Sequence, residues 1–393
     1  MFRLLIFVIF SLFFQTANFQ QITPLNNFKG GNVNNQILVP SPFSLYVSAH
    51  MDSNDTLSRI YVKTDNNQIK SLYDLKTAKD TVASGLLTPF KVQSTAYISS
   101  DLNDDQMSAL RGFLYITTAK QSNDFNFKVY DIDLVQIVRP SLLICDPCTM
   151  VFLNTNENMV PVQSSTITTW RQSADSTVKM YKGYPTDEEE VNSSQIFANP
   201  IQTITDPPRF IQNVEKFSVS LGAFYFKTTS DFYFAISPFY LNPDLSSTTA
   251  YTTTGLITKS VSQTPKKVTI DCLRDTRYNG TMGVNIIGSM PTRDGKVTVR
   301  ENDGLQSTEI NVAPANQIFG WLTYKIGQNL TVSSESSTNG EFFVQYYIIQ
   351  GDQISSTFAP TNATSPSVET TTKGAGILNL VVSILTLVLG SFV

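Results

Sequence analysis

Apolar and polar residues alternate along most of the chain in short runs rich in β-branched and aromatic side chains. Residues 217–221 (FSVSL) and 296–300 (KVTVR) alternate strictly, which places every second side chain on one face, as a half-buried strand requires. Turn signals separate such runs, at Asp294-Gly295, Asp303-Gly304 and Asn339-Gly340. No long helical period is present, and a short helix is predicted only around Asp105 to Arg111. From Pro40 onward the pattern predicts an all-β protein.

One aromatic pattern occurs three times. Residues 112–115 (GFLY) lead through a polar turn to 124–127 (DFNF), 222–225 (GAFY) to 231–234 (DFYF), and 320–324 (GWLTY) to 340–343 (GEFF). Each predicts a β-hairpin with an aromatic face. The leading glycines, Gly112, Gly222 and Gly320, are 110 and 98 residues apart, about the length of one sandwich domain. The expectation is two or three tandem antiparallel β-sandwich domains. The first covers 18–144, a second β-rich unit or inserted segment covers 145–262, and the best delimited covers 266–350. A Ser/Thr/Pro stalk follows at 351–373.

The two ends depart from this pattern. Arg3 precedes an apolar stretch at 4–14 whose helical length, about 16 Å, is short of a bilayer core of roughly 30 Å. Small residues follow at Thr16 and Ala17, so residues 1–17 read as a secretory signal peptide. Residues 377–393 are apolar apart from Asn379, Ser383, Thr386, Gly390 and Ser391. About a dozen positions upstream, Asn362, Ala363 and Thr364 supply consecutive small residues, the layout of a GPI-attachment signal whose apolar part covers 374–393. Asn362 is the ω-site candidate, with Ala363 and Ser365 as alternatives. This predicts a GPI anchor on the extracellular face of the plasma membrane, with the lipid as the membrane partner. Sequons at Asn54, Asn192, Asn279 and Asn329 predict N-glycosylation; a further one at Asn362 competes with its use as the ω site.

Composition narrows the chemistry. Only 15% of the 393 residues are charged and the net charge is -4, which argues against a nucleic-acid partner. His50 is the one histidine, so triads, Cys–His pairs and multi-histidine zinc sites lack their imidazoles. Three cysteines, Cys145, Cys148 and Cys272, predict one disulfide in an oxidising compartment. It is either the tight Cys145–Cys148 bridge or a link from one of them to Cys272. Asp101, Asn103 and Asp105 have the opening spacing of a calcium loop. Gln106 stands where that loop needs glycine, and Gly112 where it needs glutamate. No metal, cofactor or catalytic residue is assigned. Trp170 and Trp321 have the chemistry of sugar-stacking platforms, but burial in a sandwich core is the expectation for both. The acidic run at 187–190 reads as a loop tip.

The layout as a whole resembles the nematode CUB-like domain proteins. The best local match is the third unit, through residues 267–272 (KVTIDC), 296–300 (KVTVR), 317–322 (QIFGWL), 330–332 (LTV) and 341–346 (EFFVQY). The first unit, 38–130, fits more loosely through 43–47 (FSLYV) and 124–130 (DFNFKVY). The resemblance implies a jelly-roll-like sandwich, display at the cell surface and a role in innate defence against microbes. It departs from CUB domains in having a single cysteine, Cys272, in the third unit, and no calcium ligands carry over.

The functional expectation is a non-catalytic recognition or adhesion glycoprotein whose ligand is a cell-surface, microbial or glycan structure. A structural coat protein without a specific ligand is the first alternative. A carboxylate-based glycan hydrolase, which needs no histidine, is the second.

Overall fold

The computed structural model describes residues 21–354 except 81–84, 133–135, 139–145, 158–160, 187–193, 204–206, 231, 241–244, 248–251, 262, 264–265, 274, 289–295, 313–317 and 335–339. The expected signal peptide and apolar tail, with Cys145, Asn192, Asn362 and the acidic run at 187–190, lie outside the described residues, as does the expected stalk from 355 on; its first residues, 351–353, instead end the last strand.

The strands form six sheets that associate in three successive pairs. The first pair contains β1 (Gln21–Pro24), β2 (Asn35–Gln36), β3 (Phe43–Ala49), β4 (Ile60–Thr64), β5 (Ile69–Ser71), β6 (Phe90–Val92), β7 (Ala96–Ser100) and β8 (Gly112–Ile116). The second contains β9 (Phe127–Asp131), β10 (Gln136–Val138), β11 (Cys148–Leu153), β12 (Ser164–Gln172), β13 (Thr177–Lys182), β14 (Gln195–Asn199), β15 (Phe217–Ser220), β16 (Ala223–Thr229) and β17 (Phe232–Ser237). The third contains β18 (Leu245–Ser247), β19 (Thr253–Lys259), β20 (Lys267–Asp271), β21 (Tyr278–Gly288), β22 (Val297–Asn302), β23 (Ser307–Val312), β24 (Ile318–Thr323), β25 (Asn329–Ser334) and β26 (Phe342–Gln353).

The strand orders in the three pairs are the same. The first pair reads β1-β8-β3-β6 over β2-β7-β4-β5. The second reads β10-β17-β12-β15 over β11-β16-β13-β14, and the third β19-β26-β21-β24 over β20-β25-β22-β23. Each is an eight-stranded jelly roll, a doubly wound Greek key in which successive strands cross between sheets. The remaining strands, β9 and β18, lead into the second and third rolls and pair in parallel with β11 and β20. The chain is therefore all-β, as the alternation predicts, and the segment 145–262, expected as a domain or an insertion, carries β11–β17 of the second roll with β18 and β19 of the third.

Two expectations are corrected. The three aromatic motifs are not hairpins, because the strands they mark belong to different sheets or to non-neighbouring places in one sheet. β8 and β9 lie in different rolls, β16 and β17 in different sheets, and β24 is separated from β26 by β21. Nor are the motifs one repeat, since their leading segments fall on the eighth, seventh and sixth strands of successive rolls. The consecutive strands that do pair are β4–β5, β13–β14 and β22–β23. The last of these turns at Asp303-Gly304, where Gly304 takes a φ of +91°. The boundaries also move: β9 and β10 join the second roll and β18 and β19 the third, ahead of the breaks expected at 144 and 266.

Each roll encloses its own core. Phe43, Leu45 and Val47 of β3 meet Ile60, Val62 and Ile98 from the opposing sheet of the first roll. The second core is aromatic: Phe152 stacks on Tyr130 and Phe224 at 4.9 and 5.2 Å between ring centroids. Trp170 packs edge-on to Phe232 at 4.6 Å. Three of the short helices that bridge strands in the first roll and its exit are started by a capping box: Ser71 with Asp74, Asn103 with Gln106, and Thr118 with Gln121. The helix expected near Asp105 is Asp104–Ser108, placed by its Asn103 cap.

The rolls pack through residues 21–353 as one compact unit. All seven residues of β3 are buried, because its second face lies against the second roll. There Tyr46 and Tyr115 join Val151, Leu153, Tyr181 and Tyr225 in one apolar cluster. At the other junction the side chain of Gln345 on β26 stands in for a strand along the edge of β14. Its Oε1 accepts from the Ala198 N–H at 2.9 Å and its Nε2 donates to the Ala198 carbonyl at 2.7 Å. Edge strands need such covering, since their backbone groups otherwise lack partners. Replacing Gln345 with Ala leaves two buried backbone groups unpaired and should cost about 2 to 4 kcal/mol. That loss would appear as a lower urea midpoint; an unchanged midpoint would show that this junction does not depend on the amide.

Candidate functional site

The residues with the most chemistry gather where the first two rolls meet. The second face of β3 presents Ser44, Tyr46 and Ser48, all buried. Ser48 Oγ donates to Asp131 Oδ1 at 2.6 Å, and Lys79 Nζ lies 3.3 Å from Asp131 Oδ2. Asp131 is 1% exposed and Lys79 25%. Ser44 Oγ pairs with Ser122 Oγ at 2.8 Å. Two serines and a lysine of the first roll thus fix a serine of the connecting helix and a carboxylate at the end of β9.

A cleft opens at each end of this interface. One, of about 530 Å³, lies where β8 begins and is bridged by Arg111 and Glu157 at 3.4 Å. The other, of about 270 Å³, is floored by Tyr46, Leu87, Phe127 and Val129. Asp80, Lys91, Asp124 and Lys128 stand around its mouth. Phe125 projects beside it, 72% exposed, with Lys128 Nζ 4.3 Å from its ring centroid. Burial lowers the Lys128 pKa from the usual ammonium value, while Asp124 and Asp80 oppose that shift. Burial also raises the Tyr46 pKa, so its hydroxyl stays protonated. This second cleft offers donors, acceptors and an open aromatic face over an apolar floor.

The residues singled out from sequence are scattered by comparison. His50 is 7% exposed, and its Nδ1 accepts from the Asp52 N–H at the start of a short helical turn. Asp101 is ion-paired with Arg59 at 2.8 Å and Asn103 caps a helix, so the calcium-like spacing serves a surface pair and a helix start. Trp170 is buried as expected, whereas Trp321 is only half-buried on the edge strand β24. Among the described sequons, Asn279 is exposed. Asn54 is half-buried and accepts from Lys76 Nζ at 2.7 Å. Asn329, also half-buried, begins the inner strand β25 between Asp271 and Asn302. Cys148 opens β11 and is buried. Cys272 is a free, half-buried thiol, and burial pushes its pKa up to about 12, which leaves it unreactive at neutral pH.

Sequence reasoning passed over Tyr46, Phe125 and Lys128. Tyr46 sits in an alternating strand where a core position is the default. Phe125 lies in a turn ahead of β9, so strand periodicity does not apply to it.

Strand order and site define a tandem jelly-roll protein with a cleft between rolls. The chain belongs to the transmembrane glycoprotein family, whose model matches residues 40–389. That description assigns the chain to the membrane glycoproteins, and the match runs into the apolar segment that begins at Ile377. It is this family, rather than the nematode CUB-like one, that matches. No curated protein matches the chain. Among solved structures, the CUB1-EGF-CUB2 region of human MASP-1/3 is similar at 10% identity, covering 55% of this chain and 100% of that one, with a TM-score of 0.18. A triple jelly-roll protein of an archaeal virus turret is similar at 10% identity over 85% of this chain and 90% of that one, with a TM-score of 0.19. At these scores neither superposition adds to the strand orders given above. No helix among the described residues is long and apolar enough to cross a membrane.

The junction's polar anchor is testable. Asp131→Ala removes one partner of a buried pair and should cost about 3 kcal/mol, toward the low end of the usual range because Lys79 keeps some solvent. Chemical denaturation measures this; a loss under about 0.5 kcal/mol, the size of an ordinary surface substitution, would refute the anchoring role.

Proposed function

We propose that this protein is a non-catalytic recognition glycoprotein displayed on the extracellular face of the plasma membrane and held there by a GPI lipid. The observation that carries the reading is the family match over residues 40–389, which assigns a membrane glycoprotein character to a chain built of jelly rolls. The small residues Asn362, Ala363 and Thr364, ahead of the apolar run from Ile377, favour lipid attachment near Asn362. Exposed Asn279 is the first N-glycosylation site, with Asn54, Asn192 and Asn329 as the others. The free state of Cys272 favours a Cys145–Cys148 bridge within the second roll. Recognition, rather than catalysis, suits a cleft whose ionisable groups are two lysines and two aspartates around an aromatic ring. The likeness in layout to CUB-like proteins extends the reading to defence against microbes.

The reading is tested on intact cells. Phosphatidylinositol-specific phospholipase C should release the protein into the medium, and peptide N-glycosidase F should reduce the mass of the released form. Asn279→Gln should remove the mass of one glycan. Retention on cells under conditions that release other GPI-linked proteins would contradict the anchor, and an unchanged mass after deglycosylation would contradict the glycoprotein reading.

A further inference from the structure

The cleft floored by Tyr46 holds a polar group that the fold does not use. Tyr46 is 5% exposed and lines the cavity, yet its hydroxyl makes no hydrogen bond among the described residues. Desolvation alone accounts for its raised pKa, with no hydrogen-bond or charge contribution from a neighbour. The hydroxyl oxygen itself reaches the cavity instead of being sealed from it, so water or a ligand can meet it there. The packing of Tyr46 against Tyr115, at 6.2 Å between centroids, would be served equally by phenylalanine. The hydroxyl is therefore a polar contact that the fold leaves for a molecule entering the cleft.

The surroundings narrow what that is. At about 270 Å³ the cavity lies just below the usual range of small-molecule sites, which suits a single ring-sized unit. The mouth carries two carboxylates, Asp80 and Asp124, and two ammonium groups, Lys91 and Lys128, so the charges balance. A phosphate or sulfate ester would meet the carboxylates, and a free cation would meet the lysines. A neutral molecule with many hydroxyls matches both signs, since each hydroxyl donates to one and accepts from the other. Phe125 completes the set: one side of its ring is covered by Lys128, and the side chain is otherwise open to solvent. An aromatic face of this kind packs against the C–H face of a pyranose.

We propose that the cleft between the first and second rolls binds a neutral hexopyranose unit, stacked on Phe125, with a hydroxyl hydrogen-bonded to Tyr46 at the floor. The assignment rests on the recognition reading above and gives it a ligand class. The carbohydrate is read through its hydroxyls by Asp80, Asp124, Lys91 and Lys128 and needs no metal ion.

The test uses the full chain in detergent, with the methyl glycosides of glucose, galactose and mannose as probes and glucose 6-phosphate as the charged control. Saturation-transfer NMR titration should give saturable binding of at least one neutral glycoside in the millimolar range, and weaker binding of the phosphate. Phe125→Ala, at an exposed position, should weaken that binding about tenfold. Tyr46→Phe keeps the ring packing and should weaken it about fivefold. Saturation by none of the three neutral glycosides, preference for the phosphate, or binding unaltered by both substitutions would overturn the proposal. The broader reading is separated by assaying the same proteins on microbial and host cell surfaces. Saturable cell binding that survives both substitutions, with no glycoside bound, sinks the sugar assignment and leaves recognition standing. Absence of saturable binding to sugars and surfaces alike sinks both.

Discussion

The face of a sheet that a lone jelly roll would leave to water is buried here. β3 sends Phe43, Leu45 and Val47 into the core of the first roll and Tyr46 into the contact with the second. Burying both faces of a strand demands apolar or paired side chains at every position, and the segment from Phe43 to Ala49 meets that demand with hydroxyls as well as hydrocarbon. Ser44 and Ser48 are tolerated because Ser122 and Asp131 answer them. The relative placement of the first two rolls follows from this one surface, and so do the clefts at its ends.

The second junction uses a different device. β14 is an edge strand, and its outward backbone is answered by the Gln345 amide instead of another strand. Thr258 Oγ1 adds a bond to the Ser218 carbonyl at 2.7 Å, and Lys182 pairs with Glu341 across the same contact. Polar side chains here do the work of sheet extension without the continuous edge that would invite aggregation. The result is three rolls joined by side chains and by the parallel strands β9 and β18, which tie each entry segment into the next sheet.

Much of this architecture is legible in the sequence, and its limits have physical causes. Strict alternation at 217–221 and 296–300 marks β15 and β22, because one face of each meets a core. Asp303-Gly304 marks a true hairpin, since the positive φ at Gly304 needs glycine. The aromatic motifs mislead because alternation reports burial and not partner: Phe224 and Phe232 face one core from opposite sheets, as hairpin partners would not. The spacing of the motif glycines does not mark the rolls, since they fall on different strands of each, and the equivalence of strands 1–8, 10–17 and 19–26 is not legible because topology lives in long-range pairing. The site is the least legible part. Tyr46 and Lys128 are more than eighty residues apart, and only the packing of two rolls brings them to one cleft. Trp170, the more obvious aromatic, is spent on the second core.

The central claim is that the rolls are fixed to one another, so that the cleft between them is a built feature. Differential scanning calorimetry of the full chain in detergent tests it most directly. Locked rolls predict one endotherm for the 21–353 unit, with calorimetric and van't Hoff enthalpies in agreement. Separate endotherms, with the first roll melting apart from the second, would contradict it.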